Sequence, residues 1–243
     1  VPSSRDQAPE ILRRWVDARA GTGKPVYWIG EGEVYAYPSG EKLFGMIGFD
    51  ASTVIWPTEP GGKVVQLTRK VFTYTDPITG EILTDYNGKA VEPIAFPYQI
   101  LTYRLENGVI RTTAEYGVEP NIHKTVSKNG MRARTMGAGT LVVNAPVFIN
   151  LPLPNNKQLQ AWESYDFFLH AAGSVAEPHQ LSWSSYNDLP PWFGEGKAIY
   201  HMLSWRVERH DEFPPKLLAW AKANSPMWLM PPADMNEIRS LQK

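Results

Sequence analysis

The chain contains no cysteine among its 243 residues. This absence excludes disulfides, zinc–thiolate sites, iron–sulfur clusters and catalytic thiols. A chain of this length can bury enough apolar surface to fold without a disulfide or a metal. No apolar run approaches the ~18 residues that a membrane-spanning helix needs, so we predict no transmembrane segment.

An excess of charge of one sign is also missing. Lys and Arg number 24 and Asp and Glu number 25, which gives a formal net charge of -1. A nucleic-acid binder needs a basic surface to displace counterions from phosphates, so we expect no nucleic-acid partner.

Recognised motifs for cofactors and metals are lacking as well. The segment Gly21-Thr22-Gly23-Lys24 has Pro25 where a phosphate-binding loop requires Ser or Thr. The five histidines do not show a metal-ligand spacing. We therefore predict neither a cofactor nor a metal.

Aromatic residues and proline are plentiful instead. Aromatic residues make up 12% of the chain, with nine Trp, and there are 21 Pro. Aromatic side chains bury large areas, and Trp and Tyr each carry a polar group that needs a partner. Proline at this frequency suits short elements joined by turns and disfavours a helical bundle.

Apolar spacing predicts three helices, at about 6–20, 214–223 and 235–241. Alternating polarity between them predicts about eleven short strands over about 26–207. Among these, Val26 to Tyr37 reads as a hairpin that turns at Gly30-Glu31-Gly32, and Asn107-Gly108 is typical of another hairpin. We predict a single domain, mostly β, forming an antiparallel β-barrel of lipocalin or calycin type with flanking N- and C-terminal helices. Such a barrel can enclose one small ligand.

One predicted strand near the end of the sheet region carries a histidine on an apolar face. Its alternate residues are Ile199, His201, Leu203, Trp205 and Val207. We expect this face to point into the barrel. His201 is then either a core histidine held by one hydrogen bond or a general acid or base in a pocket that Trp205 helps to line. Its neighbour Tyr200 is a further candidate donor.

In a second predicted strand, alternation places Tyr165 on one face and both Asp166 and Phe168 on the opposite face. An inward Asp166 would be costly without a partner. It therefore faces water or pairs with His170 or Arg69, and such a pair would mark a site. We take Tyr165 as a catalytic candidate and Phe168 and Arg69 as substrate-binding candidates.

Four aromatic residues crowd a segment rich in Pro and Ser: Trp183, Tyr186, Trp192 and Phe193. They either plug one end of a barrel or form the rim of an apolar pocket. The two interpretations are compatible, and we predict that these residues bind substrate.

Seven segments carry a family resemblance: 24–37 (KPVYWIGEGEVYAY), 42–45, 48–49, 76–81 (DPITGE), 190–193 (PPWF), 199–201 and 212–217 (EFPPKL). Together they resemble the bacterial and fungal family known as domain of unknown function 1838. They keep the family's order and span most of the chain, whereas residues 93–97 and the middle third depart from the pattern. The resemblance implies a compact β-barrel-like fold and frequent export in bacterial members, without an agreed activity. Some fungal proteins of natural-product pathways that look similar are hetero-Diels–Alderases without cofactors.

The sequence thus predicts a cofactor-independent enzyme that acts on a hydrophobic small molecule in an aromatic-lined pocket. We expect a cyclisation or a hetero-Diels–Alder cycloaddition in a biosynthetic pathway, since holding two reacting ends together lowers the barrier of such a step. His201, Tyr200 and Tyr165 are the candidate catalytic donors. The alternative is a lipocalin-like binding or carrier protein, and a third hypothesis is a hydrolase or isomerase with an Asp–His pair.

Two further expectations concern location and assembly. The chain begins at Val1, as it would either at the boundary of an expressed fragment or after removal of a signal peptide. Of the two locations, we predict a secreted protein over a cytoplasmic one. Trp220 and Trp228 lie near a predicted C-terminal helix and would cover either a barrel mouth or a dimer contact. A homodimer is therefore a further prediction.

Overall fold

The computed structural model describes residues 7–59, 62–127, 129–152, 158–170, 178–224 and 226–243. Within them the helices are α1 (Ala8–Ala20), α2 (Pro215–Asn224) and α3 (Met235–Leu241). The strands are β1 (Val26–Tyr37), β2 (Lys42–Ile55), β3 (Val64–Thr75), β4 (Asp85–Tyr86), β5 (Lys89–Ala90), β6 (Ile94–Glu106), β7 (Val109–Val118), β8 (Asn121–Val126), β9 (Arg132–Thr135), β10 (Leu141–Pro152), β11 (Gln158–Leu169), β12 (Gln180–Asp188) and β13 (Lys197–Val207).

All of the described strands except β4 and β5 form one antiparallel sheet, which curls into a half-barrel. Its order is β8-β7-β6-β3-β2-β1-β13-β12-β11-β10-β9. The two edge strands, β8 and β9, follow one another in the chain. An isolated bridge joins Ile110 to Met131 and brings the two ends of the sheet together.

Strand β1 is continuous, so the predicted hairpin at Gly30-Glu31-Gly32 is wrong. The two glycines are required because the neighbouring strand lies too close for a side chain. A Cβ atom on Gly30 would lie 2.3 Å from the Met202 sulfur, and one on Gly32 would lie 2.2 Å from the His201 carbonyl oxygen. Glycine here permits a close approach of strands and does not mark a turn.

Helix α1 lies inside one end of the half-barrel. Pro9 is in its first turn, and the helix ends at Gly21, whose φ of 79° suits glycine. The ring of Trp15 packs edge-on against Tyr103 of β6 at 4.4 Å and against Phe167 of β11 at 5.8 Å. Because five strands separate β6 from β11 in the sheet, one side chain can touch both only from the concave side.

The opposite end of the half-barrel is filled by aromatic side chains. Trp192 packs against Tyr74 at 4.9 Å, and against Phe44 at 5.3 Å. Phe193 contacts Phe44 at 5.2 Å and stacks on Tyr86 at 4.9 Å. These residues form an aromatic plug, as one of the two interpretations of Trp192 and Phe193 predicted.

The C-terminal segment covers the outer face of the sheet around β13, β1, β2 and β3. Phe213 and Leu217 pack there on Ile29 and Phe49, which face away from the interior. Helix α3 extends this cover over β3 and β6, where Ile238 is fully buried. Both faces of these central strands are therefore buried.

The predicted fold class is confirmed: the protein is mostly β, with an antiparallel, barrel-like sheet and helices at both ends. The Asn107-Gly108 hairpin is also confirmed, and both residues have positive φ, as a tight turn requires. Within the parts of the chain that are described, the helices are too short or too polar to cross a bilayer.

Candidate functional site

Polar residues occupy the concave face of β2 and β3, opposite the apolar face that the C-terminal segment covers. They alternate with apolar residues, as the period of a strand requires. Register pairs Asp50 with Lys70 and Ser52 with Thr68. Side chains of all four therefore lie on one face, next to the C-terminal end of α1.

Asp50 is the centre of this polar group and is buried. One of its carboxylate oxygens accepts a hydrogen bond from Arg19 Nη2 of α1 at 2.5 Å. The other accepts from the hydroxyls of Ser52 at 2.6 Å and Thr68 at 2.5 Å. Burial alone would raise the pKa of Asp50, but Arg19 and Lys70 outweigh it and hold the pKa below its usual value.

Lys70 is a second, weaker cationic partner of Asp50. Its Nζ lies 3.7 Å from Asp50 Oδ2, the oxygen that Arg19 already binds. Burial lowers the pKa of Lys70; Asp50 opposes this shift and Arg19 reinforces it. The side chain nevertheless keeps 18% of its surface exposed.

Glu163 and Tyr165 of β11 face the same interior from the other side. The Tyr165 hydroxyl donates to Glu163 Oε2 at 2.6 Å. Burial raises the pKa of Glu163, although the bond from Tyr165 and the charge of Lys70 oppose the shift. Burial and Glu163 together raise the pKa of Tyr165 well above its usual value.

These groups converge across the concave space. In the sheet, β3 and β11 are separated by β2, β1, β13 and β12. The charge of Glu163 nevertheless acts on Lys70, and the charge of Arg19 acts on Tyr165. We call this group the interior polar centre; its members are Arg19, Asp50, Lys70, Glu163 and Tyr165.

A seam between β8 and β10 borders the interior polar centre. Strand β9 pairs only with residues 141–144 of β10, so in the described structure no strand pairs with residues 145–152 on that side. Glu163 pairs with Val147 beside this seam. Tyr116, on the other side of the seam, is close enough for Glu163 to raise its pKa, in addition to the larger effect of burial. The unpaired edge of β10 thus lies one strand away from Glu163.

Buried polar atoms near the centre that have no hydrogen-bond partner among the described residues include Gln99 Oε1, Ser185 Oγ and Trp183 Nε1. Gln99 pairs in register with Thr68, and Ser185 pairs with Glu163. Unpaired buried polar atoms are costly, and a polar ligand in the interior would satisfy them.

The structure places several predicted site residues in the interior. Tyr165 belongs to the interior polar centre, and Trp183 pairs with it on β12. The Trp183 indole lies close enough to Glu163 to lower its pKa. Tyr200 is buried next to the aromatic plug, where its hydroxyl donates to the Asp188 carbonyl oxygen at 2.8 Å. That hydroxyl proton is therefore already used.

The predicted inward orientation of His201 is wrong. On β13 the residues that face the interior are Tyr200, Met202 and Ser204, which are buried. His201 is exposed on the outer face, with its Nδ1 3.2 Å from Ser184 Oγ. The rule that the apolar face points inward fails here because the outer face of β13 is itself partly covered.

Three other predicted pocket residues also lie on the outer face, where their predicted role in an interior pocket is not supported. Trp205 packs beneath the C-terminal segment, and Phe168 shares its cross-strand row. Tyr186 borders a shallow outer depression of about 380 Å³ together with Phe148 and Trp162. Asp166 is on this face too, where it accepts from Asn144 Nδ2 at 2.7 Å.

Arg69 is buried on the outer face of β3 and not in the interior. Its Nε donates to the Pro97 carbonyl at 2.9 Å, and its Nη1 donates to the Met230 carbonyl at 3.0 Å. Its Nη2 forms an ion pair with Glu237 of α3. Arg69 therefore attaches the C-terminal segment to the sheet, in place of the predicted substrate contact.

Sequence reasoning missed Arg19, Asp50, Lys70 and Glu163. The signal that was available is the alternation in β2 and β3, where polar residues recur at every second position of strands that are otherwise apolar. It indicates two buried faces of different character. Among the described residues, no cluster of three or more His, Asp and Glu is arranged to hold a metal ion.

Comparison with known families identifies a match over residues 23–242 to a family described as a protein of unknown function (DUF1838). The chain belongs to the DUF1838 family. The matched region of this DUF1838 protein includes Asp50, Lys70 and Glu163, whereas α1 precedes it. Comparisons with curated proteins and with solved structures found no match.

Proposed function

We propose that this DUF1838 protein is a cofactor-independent enzyme that converts a hydrophobic small molecule in its half-barrel by a cyclisation or a related isomerisation that proton transfer initiates. The observation that carries the proposal is the hydrogen-bonded pair of Glu163 and Tyr165, which faces Lys70 across the interior. Titratable groups whose pKa values are shifted by burial and by a specific partner are typical of catalytic sites.

The chemical roles follow from the direction of each pKa shift. Glu163, with a raised pKa, is suited to hold a proton and to donate it to substrate. Lys70, with a lowered pKa, is suited to accept one. Tyr165 orients the carboxyl group, while Arg19 and Asp50 fix the electrostatic surroundings of Lys70.

The apolar surroundings support a mainly hydrophobic substrate. Trp183 lies beside Tyr165 with ring centroids 6.4 Å apart, and the aromatic plug limits the interior at one end. Apolar walls with a few polar groups are typical of sites that orient a small molecule. Orientation of two reacting ends would also favour the hetero-Diels–Alder form of the reaction.

The test uses a panel of apolar polyenes and unsaturated ketones that cyclise slowly in buffer. We expect faster product formation with the protein, and a loss of about 100-fold or more in turnover for Glu163→Gln. Tyr165→Phe tests the orienting hydrogen bond to Glu163. Tyr186→Phe is its matched control, because the two tyrosines lie on adjacent strands but Tyr186 faces outward. Equal turnover of Glu163→Gln and wild type would contradict the proposal.

The pH–rate profile separates the proton-transfer reaction from a cycloaddition. Proton transfer by Glu163 and Lys70 predicts a bell-shaped profile. A pericyclic step that depends only on orientation and neutral donors predicts a flat one.

The second candidate is a lipocalin-like carrier, which the aromatic interior favours. It predicts stoichiometric binding, measured by quenching of Trp fluorescence, with no acceleration over buffer. Secretion and a homodimer remain predictions from the sequence, to be checked by the location of the protein in cell fractions and by its sedimentation.

A further inference from the structure

Lys70 differs from the exposed lysines of this chain in having an inward position beside a buried carboxylate that already accepts three hydrogen bonds. Asp50 accepts from Arg19, Ser52 and Thr68. The amine of Lys70 is 3.7 Å from the oxygen that Arg19 binds. Asp50 thus gives Lys70 an anion at ion-pair distance, beyond the length of an ordinary hydrogen bond.

The backbone around Lys70 is also irregular. The register between β3 and β6 shifts between Thr68 and Lys70, so that Arg69 lies opposite an extra residue of β6. Such bulges redirect side chains and are frequent beside active sites. The extra residue is on β6, where the Pro97 carbonyl accepts from Arg69 Nε. Strand β3 itself pairs regularly with β2, so ordinary alternation places Arg69 outside and Lys70 in the interior.

We propose that Lys70 is a nucleophile that forms an imine with an aldehyde or ketone substrate. This inference rests on the proposed function and names its substrate class. The neutral amine adds to the carbonyl carbon, and a proton moves from nitrogen to oxygen to give a carbinolamine. Glu163 donates a proton to the hydroxyl group, which leaves as water. The resulting iminium ion returns its proton to Glu163, so that the net change is amine plus carbonyl to imine plus water.

The chemistry of this step matches the groups that face one another. An amine nucleophile needs a neutral form near pH 7, and burial of Lys70 favours that form. Dehydration of the carbinolamine needs an acid, and Glu163 is the interior carboxyl group with a raised pKa. An imine is in turn an electron acceptor that activates adjacent carbon atoms for ring closure.

The test is reductive trapping with cinnamaldehyde and sodium cyanoborohydride at pH 7, followed by peptide mass mapping. We expect the label on Lys70 at least about tenfold faster than on exposed lysines, because burial favours its neutral amine and the bound aldehyde is held beside it. Lys42→Arg is the matched control, because Lys42 is an exposed lysine paired with Glu33. It should leave the labelling of Lys70 unchanged, whereas Lys70→Arg should abolish the fast phase.

Cinnamyl alcohol, which has the same shape without a carbonyl group, separates the two proposals. If the alcohol quenches Trp fluorescence and Lys70 is labelled no faster than the exposed lysines, the imine is excluded while an interior binding site remains. If neither compound binds and labelling is uniform, both proposals fail. Mapping of the wild-type protein gives the answer even if a Lys70 variant does not fold.

Discussion

Strand β3 carries two adjacent cations with opposite surroundings. Arg69 faces outward, where three backbone carbonyl groups and Glu237 bind its guanidinium. Lys70 faces inward, where its nearest anion is shared with Arg19. The guanidinium of Arg69 is fixed by contacts that connect the C-terminal segment to the sheet. The amine of Lys70 has only a shared anion at longer distance.

The difference assigns separate tasks to the two faces of the central strands. The outer face is apolar because α2 and α3 cover it, and it supplies the hydrophobic burial that stabilises the fold. The inner face can then carry charged groups, whose burial by itself would be unfavourable. Substitutions on the two faces should therefore have different consequences.

The largest loss of stability is expected for the buried ion pair on the inner face. Asp50→Asn leaves Arg19 buried without its anion, and removal of one partner from a buried ion pair costs about 3–5 kcal/mol. Urea unfolding followed by circular dichroism measures the change. Ser204→Ala, a nearby substitution on the same face that leaves the ion pair intact, is the control; an equal loss in both variants would argue against a special role of the charge.

On the outer face, Arg69→Met should lower the free energy of unfolding by about 2–3 kcal/mol, because the carbonyl groups of Pro97 and Met230 lose their donor. Activity per folded molecule should be retained. Glu237→Gln should cost less, since Glu237 is partly exposed. Loss of turnover at unchanged stability would place Arg69 in the site after all.

Lys70→Met should give the opposite result. Asp50 remains paired with Arg19, so the stability change should stay within about 1 kcal/mol, while turnover falls by about 100-fold or more. Urea unfolding curves and rate measurements on the same variant separate the change in stability from the change in turnover. A variant that unfolds readily and yet retains its specific activity would contradict the proposed division.

The smallest effect concerns the pH dependence of stability. The pKa of Glu163 is raised in the folded state above its usual value of 4.5. As pH rises above 4.5, the unfolded chain releases this proton first, and the free energy of unfolding falls until the folded-state pKa is passed. Glu163→Gln should remove that fall. Its stability relative to wild type should therefore increase from pH 4 to pH 6, and a constant difference would be evidence against the shift.

The sequence was sufficient to predict the fold class because alternation and turn residues are local signals. Helices α2 and α3 were predicted within one residue of their observed bounds, and the Asn107-Gly108 turn follows from its backbone requirement. The glycines of β1 were misinterpreted, since a close approach of Met202 to Gly30 depends on strand pairing that is not local.

The candidate site was harder to predict because alternation identifies two faces without saying which one is concave. The apolar face of β13 was assigned to the interior, which placed His201 on the wrong side. Only the position of the C-terminal segment, far from β2 in the chain, explains why Phe49 points outward and Asp50 inward. Tyr165 was chosen as a candidate on an apolar face of β11, and the structure places that face in the interior.

The two edge strands of the sheet, β8 and β9, are consecutive in the chain, and the bridge between Ile110 and Met131 holds the residue before β9 against β7. Because side chains in a strand alternate with a period of two, a shift of one residue in the pairing of β9 with β10 would exchange the inner and outer side chains of β9. The register of this short edge strand thus determines which side chains border the interior at one rim of the seam.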